Sequence, residues 1–163
     1  MKSTPTLLLA LFGVALAQGA SPLRLTLTQE RVTTVTENGK VTERLTPLPK
    51  TVQPGDVLTQ QLTAQNVGKS TLKNAALTLP VPQGTVYLGG ASTGEGWSTL
   101  FSRDGGKTFG QAPLKKLVTV TEDGKTFQKE VVVPPNEYTT VRWVVSALKP
   151  DTTLKLGFRV KVK

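Results

Sequence analysis

Cysteine and histidine are both absent from this 163-residue sequence. Without cysteine there is no disulfide, no thiolate metal site and no lipid-modified thiol. Without either residue the usual nucleophile–base pairs cannot be assembled, and zinc lacks its preferred nitrogen and sulfur ligands. Acids are scarce too: 11 Asp and Glu stand against 20 Lys and Arg, a net charge of +9. Most of the acids, among them Asp56, Asp104, Glu122, Asp123, Glu137 and Asp151, fall in turn-like stretches. A glycosidase needs two carboxylates flanking one bond, and a calcium loop needs oxygen ligands at alternate positions. Neither pattern stands out, although Asp104 or Glu122-Asp123 could hold a weak cation. Aromatics make up 6% and do not interleave with the basic residues, so the stacking platforms of single-strand binders are missing. The expectation is a protein that is not an enzyme, with no cofactor, no metal and no nucleic-acid partner.

Long apolar runs are missing beyond the start of the chain. There, Met1-Lys2 precedes the apolar run Leu7–Leu16, and Ala15-Leu16-Ala17 fits a small-x-small cleavage site. Ten apolar residues are too few to span a bilayer, which takes roughly twenty. Residues 1–17 therefore read as a secretory signal peptide, with Gln18 the expected mature N-terminus. The segment carries one lysine and no acid, so its removal takes the net charge from +9 to +8. The expected location is extracytoplasmic, in a cell envelope, either periplasmic or at the surface. No sorting motif with a hydrophobic tail is seen, so attachment is expected to be non-covalent, with no membrane span in the mature form.

What is present is strand chemistry, organised around residues 53–88. Gln53-Pro54-Gly55-Asp56 is a turn, because Pro presets φ and Gly accepts φ > 0. Leu58, Leu62 and Ala64 then alternate with Thr59, Gln61, Thr63 and Gln65, the period of a half-buried strand. Asn66-Val67-Gly68 stops it, by the tolerance of Asn and Gly for left-handed backbone. Ala75, Leu77 and Leu79 mark a second strand, which Pro80-Val81-Pro82 ends. The block Pro54-Gly55-Asp56, the strand closing on Asn66-x-Gly68, Lys69-Ser70-Thr71 and the strand closing on Leu79-Pro80 resemble the conserved-repeat domain of bacterial and archaeal surface proteins. The resemblance implies an immunoglobulin-like β-sandwich and a role in extracellular scaffolding or adhesion, and it carries no catalytic residues. Gln60 departs from that pattern, standing where such domains usually have an aromatic or apolar residue.

On either side the chain offers further strands. Leu23, Leu25 and Leu27 alternate with Arg24, Thr26 and Thr28. Asn38-Gly39 then joins two Thr/Val-rich arms, the strongest short-range hairpin signal. Both faces of that hairpin are polar, which puts it at a sheet edge or projecting from the sandwich, as a candidate for strand addition. Residues 89–96 have no periodicity and read as a flexible loop. Ser102-x-Asp104-x-Gly106-x-Thr108-Phe109 resembles the Asp-box of sialidase-type propellers. One copy cannot build a propeller, so Asp104 and Gly106 are expected to make a structural turn. Glu122-Asp123-Gly124-Lys125 turns another hairpin, and Val141, Trp143 and Val145 share one face, with Trp143 the expected core anchor. About nine or ten short strands at hairpin spacing make an all-β, immunoglobulin-like antiparallel sandwich with an N-terminal polar hairpin. Residues 18–50 supply the first strand and hairpin, and residues 51–163 the conserved-repeat domain, as one compact unit.

The last strand alternates throughout: Leu154, Leu156, Phe158, Val160 and Val162 against Lys155, Gly157, Arg159, Lys161 and Lys163. Lys155, Arg159, Lys161 and Lys163 must then share one outward face. Two readings stand. Lysines on an edge strand discourage aggregation, or the face meets an acidic envelope polymer. The function expected from these features is a structural or adhesive component of a bacterial envelope, whose partner is envelope polymer or another surface protein. Its rival is a subunit of an extracellular filament, a homo-oligomer assembled by strand addition. A glycan-processing or glycan-binding role comes third.

Overall fold

The computed structural model describes residues 21–163; the expected signal segment and Gln18 lie outside the described residues. Ten strands follow in order: β1 (Leu23–Glu37), β2 (Lys40–Pro47), β3 (Val57–Asn66), β4 (Leu72–Pro80), β5 (Thr85–Gly89), β6 (Trp97–Ser102), β7 (Lys115–Glu122), β8 (Lys125–Val132), β9 (Thr140–Leu148) and β10 (Thr153–Val162). The first strand and the first arm of the Asn38-Gly39 hairpin are one continuous strand, whose start pairs with β3 and whose end pairs with β2. Asn38 (φ 52°) and Gly39 (φ 75°) both take positive φ, the tight turn that suits the twist of a hairpin.

Every pairing is antiparallel, and the strands form a five-stranded sheet, β2-β1-β3-β10-β5, and a three-stranded sheet, β4-β9-β6. These two stack as a sandwich. A third, two-stranded ribbon, β7-β8, stands apart from both. Without β2 and the ribbon, seven strands remain, in the orders first-second-seventh-fourth and third-sixth-fifth. A constant-type immunoglobulin domain has the fifth strand where this fold has the seventh. The architecture is shared and the strand order is not. The last strand therefore lies between β3 and β5, in the interior of the larger sheet.

The core follows the alternation. Leu58, Leu62 and Ala64 of β3 and Leu156, Phe158 and Val160 of β10 face Leu77 and Leu79 of β4 and Val141, Trp143 and Val145 of β9. Trp143 is fully buried and stacks on Phe158, with ring centroids 6.3 Å apart. Tyr87, Phe101 and Tyr138 cluster at the β5–β6 end, with centroids 5.0–5.7 Å apart. Gln60 points inward with them, 1% exposed, and accepts a hydrogen bond from Gln29 Nε2 at 2.7 Å. In β4 the inward side changes between Leu72 and Ala75, where Asn74 takes φ 51°.

The β3 strand stops for a different reason from the one its sequence suggests. Neither Asn66 nor Gly68 has positive φ. Asn66 is fully buried and works through its side chain: its Nδ2 donates to the Ser70 and Leu148 carbonyls at 2.9 and 2.8 Å, and its Oδ1 accepts from Gly68 N–H at 2.9 Å. Gly68 is required by space, because a Cβ there would lie 2.7 Å from Pro22 Cβ.

Candidate functional site

The outer face of the larger sheet is read off its register. Lys155, Gly157, Arg159 and Lys161 of β10 stand beside Thr63, Gln61, Thr59 and Val57 of β3. Those in turn stand beside Thr26, Thr28, Glu30 and Val32 of β1, and Arg24 joins the face opposite Gln65. The result is a floor of Thr and Gln, with Glu30, Val32 and Val57 at one end and basic side chains along one side. β10 is paired with β5 only over Arg159–Val162, so Lys161 guards no edge, whereas Lys155 lies on a stretch with no strand partner on that side, and the edge-guarding reading still applies to it. Over Arg159–Lys161 the strand is paired on both sides and has no free backbone for another chain to copy.

The four basic residues of this face are not equivalent. Arg159 forms a fork with Glu43 of β2, Nη1 to Oε1 at 3.0 Å and Nη2 to Oε2 at 2.6 Å. The hydrogen-bonded guanidinium holds the Glu43 carboxyl below its ordinary range and raises Arg159 in turn. The far end of the polar hairpin is thereby tied down over the sheet. Asn38 and Gly39 sit beyond this tie, at the exposed tip of the β1–β2 edge. Lys155, Lys161 and Lys163 are exposed and, among the described residues, form no salt bridge.

Between Lys155 and Arg159 the missing side chain of Gly157 leaves a shallow notch of about 170 Å³, bordered by Leu45, Gln61 and Ser92. Beyond Gly89 the chain leaves β10, and Ser92 takes over as partner of Gly157. Ser92 N–H donates to the Gly157 carbonyl at 2.8 Å, and Gly157 N–H donates to Ser92 Oγ at 2.9 Å. The Ser92 carbonyl accepts from Trp143 Nε1 at 3.0 Å and from Thr99 Oγ1 at 2.8 Å. One loop residue thus joins β10 of one sheet to β9 and β6 of the other. Residues 89–96 are pinned, against the expectation of a flexible loop, because long-range hydrogen bonds replace the missing periodicity. Nothing local in the sequence marks Ser92, Glu43 or Gly157 for these roles.

Asp104 and Gly106 form the expected turn. The Asp104 carboxylate accepts from Ser102 Oγ (2.7 Å), Lys107 N–H (3.0 Å), Thr108 N–H (2.9 Å) and Thr108 Oγ1 (2.6 Å). These donors, Thr108 foremost, hold the Asp104 carboxyl well below the usual carboxylate range. Phe109 lies under the turn beside Gly106, and the Arg142 guanidinium sits 3.6 Å from its ring centroid. With donors from the turn on both of its oxygens, the Asp104 carboxylate fastens its own loop. Its charged form is the one the fold favours, so its stabilisation is present above the unfolded pKa and fades as pH falls below about 5. Asp104→Asn should lower the melting temperature at pH 7 and flatten the acid limb of a melting-temperature profile. A parallel profile for the two proteins would refute this.

Among the described residues, no group of three acids lies close enough to hold a metal ion, and no helix is long and apolar enough to cross a membrane. No family model matches the chain, and neither the curated proteins nor the solved structures include one that matches it.

Proposed function

We propose that this protein is a non-catalytic structural or adhesive module of a cell envelope that holds acidic envelope polymer on the outer face of its larger sheet. The observation that carries this is Lys155, Lys161 and Lys163, exposed and without salt-bridge partners among the described residues, beside a floor of Thr and Gln. A polar floor suits hydroxyl-rich polymer, and mobile ammonium groups suit anions presented at irregular spacing. The secretory reading of residues 1–17 and the resemblance to conserved-repeat surface domains point to the same compartment. The second reading, a filament subunit, is favoured by the open outer edges of β2 and β4.

Purified envelope fragments provide the test. Retention should fall with salt; on the slope known for duplex DNA, three charge contacts lose about fortyfold in affinity between roughly 50 and 200 mM. The combined Lys155→Gln, Lys161→Gln, Lys163→Gln variant should lose retention and keep its melting temperature. Retention that ignores salt would remove the charged face from the argument.

A further inference from the structure

The two sheets of the sandwich differ in width, and the difference leaves a gap on one flank. Tyr87 of β5 packs on Phe101 of β6 and Trp143 of β9 packs on Phe158 of β10, so β4 lies over β3. Of the leucines of β1, only Leu23 packs against the core. Leu25 and Leu27 are on the inward row there, opposite buried Ala64 and Leu62, yet they are 51% and 49% exposed. Beside them runs the outer edge of β4, which has no strand partner.

The β7–β8 ribbon has the complementary shortage. Its strands make extended contact only with each other, and an isolated two-stranded ribbon is marginal in water. Residues paired across it share a face, which places Val118, Val120, Phe127 and Val131 together, with Lys129 opposite Val118, Lys116 opposite Val131, and Glu122 and Lys125 at the turn end of the same face. Phe127 is 44% exposed. The ribbon cannot reach the gap in its own molecule. It leaves the sandwich at Leu114 and Val133, where Leu114 N–H donates to the Tyr138 hydroxyl at 3.1 Å and Val133 N–H to the Leu114 carbonyl at 2.8 Å. Tyr138 stacks on Tyr87 of β5, on the opposite flank from β4.

We infer that the ribbon of one copy adds to β4 of a second copy, with β7 as the pairing strand and Val118, Val120 and Phe127 covering Leu25 and Leu27. The addition brings the smaller sheet to five strands, matching the larger one. Charge selects the direction. Lys69 and Lys73 stand at the start of β4, and Glu122 and Asp123 at the end of β7 and its turn. Antiparallel addition sets these opposite charges together, whereas parallel addition sets Lys115 and Lys116 against Lys69 and Lys73. Each copy then has one donor and one acceptor on opposite flanks. Such a contact is heterologous and propagates head to tail unless its rotation closes a ring. This deepens the filament reading, on which it rests, and needs no polymer contact.

Light scattering after size-exclusion chromatography tests it. The protein should give a concentration-dependent ladder of species, and Val118→Lys/Val120→Lys should be monomeric with an unchanged cooperative melt. Because the chain has no cysteine, a second arm uses Ala76→Cys on β4 and Thr119→Cys on β7. Mixed under mild oxidation, these two should give disulfide-linked pairs much faster than either alone. A monomer at every concentration would overturn the filament reading and the ribbon together. A ladder that survives the lysine changes, or cysteines that link no faster when mixed, would overturn the ribbon as donor and leave the filament reading standing.

Discussion

Trp143→Ala should unfold this protein more readily than any other single truncation in the core. The indole is fully buried, stacks on Phe158 and donates Nε1–H to the Ser92 carbonyl at 3.0 Å. Truncation to Ala removes the ring's transfer free energy and leaves a cavity between two sheets whose strands cannot collapse onto it. The cost is about 3–5 kcal/mol for an aromatic of this kind. For a domain of this size that is a fall of roughly 8–16 °C in melting temperature. Part of the loss is polar. The Ser92 carbonyl keeps Thr99 Oγ1 at 2.8 Å, so it is not orphaned, but the loop loses its tie to β9. Trp143→Phe should therefore fall between wild type and Ala, since it keeps much of the ring and loses the hydrogen bond. Trp97→Ala, at a half-buried position, should cost clearly less. A Trp143→Ala protein melting within about 2 °C of wild type would show that the core is centred elsewhere.

Gly157→Ala should be the most damaging change on the candidate binding face, although it adds a single methyl group. The new Cβ would lie 2.5 Å from the Gln60 carbonyl oxygen. That neighbour is backbone, and it cannot swing aside. β3 is held by β1 on its other edge, and Gly157 is held by Ser92, so separating the strands breaks pairing on both sides. Overpacking of this kind costs typically ~1–3 kcal/mol. The strain here is one of space, because Gly157 does not have a left-handed backbone. Gly84 provides the contrast: its φ of 76° is unfavourable for Ala, but nothing lies within 4 Å of its added Cβ. Gly84→Ala should cost about 1–2 kcal/mol from conformation alone. Gly157→Ala should lower the melting temperature at least as far, and it should also loosen residues 89–96 to hydrogen exchange. Unchanged exchange in that loop would mean that Ser92 does not depend on Gly157 for its place.

Much of the fold was legible in the sequence wherever a strand was half buried. In β3 and β10 the period of two placed every core residue on its correct side, and Val141, Trp143 and Val145 were legible in the same way. The Asp104 turn was legible because all its donors lie within four residues. Asn38-Gly39 and Asp123-Gly124 were legible because a two-residue turn needs φ > 0 at both positions.

What the sequence alone determined was thus the facing of residues within β3, β9 and β10 and the position of the tight turns, since both follow from local backbone geometry. It did not show that Leu23–Glu37 is one strand or that β4 changes its inward side at Asn74. Tertiary structure alone decided which strands became neighbours. Alternation in β10 is the same at an edge as in the middle of a sheet, so nothing in Leu154–Lys163 said that it would lie between β3 and β5. The same limit hid the partners of the candidate site. Glu43 and Arg159 are 116 residues apart, and Ser92 and Gly157 are 65 apart. Such pairs leave no periodic trace, because each member looks locally like any exposed acid, loop serine or strand glycine. The ribbon escaped for the converse reason: its strands read like those of the sandwich, and only the packing of β4, β6 and β9 left it without a sheet to join.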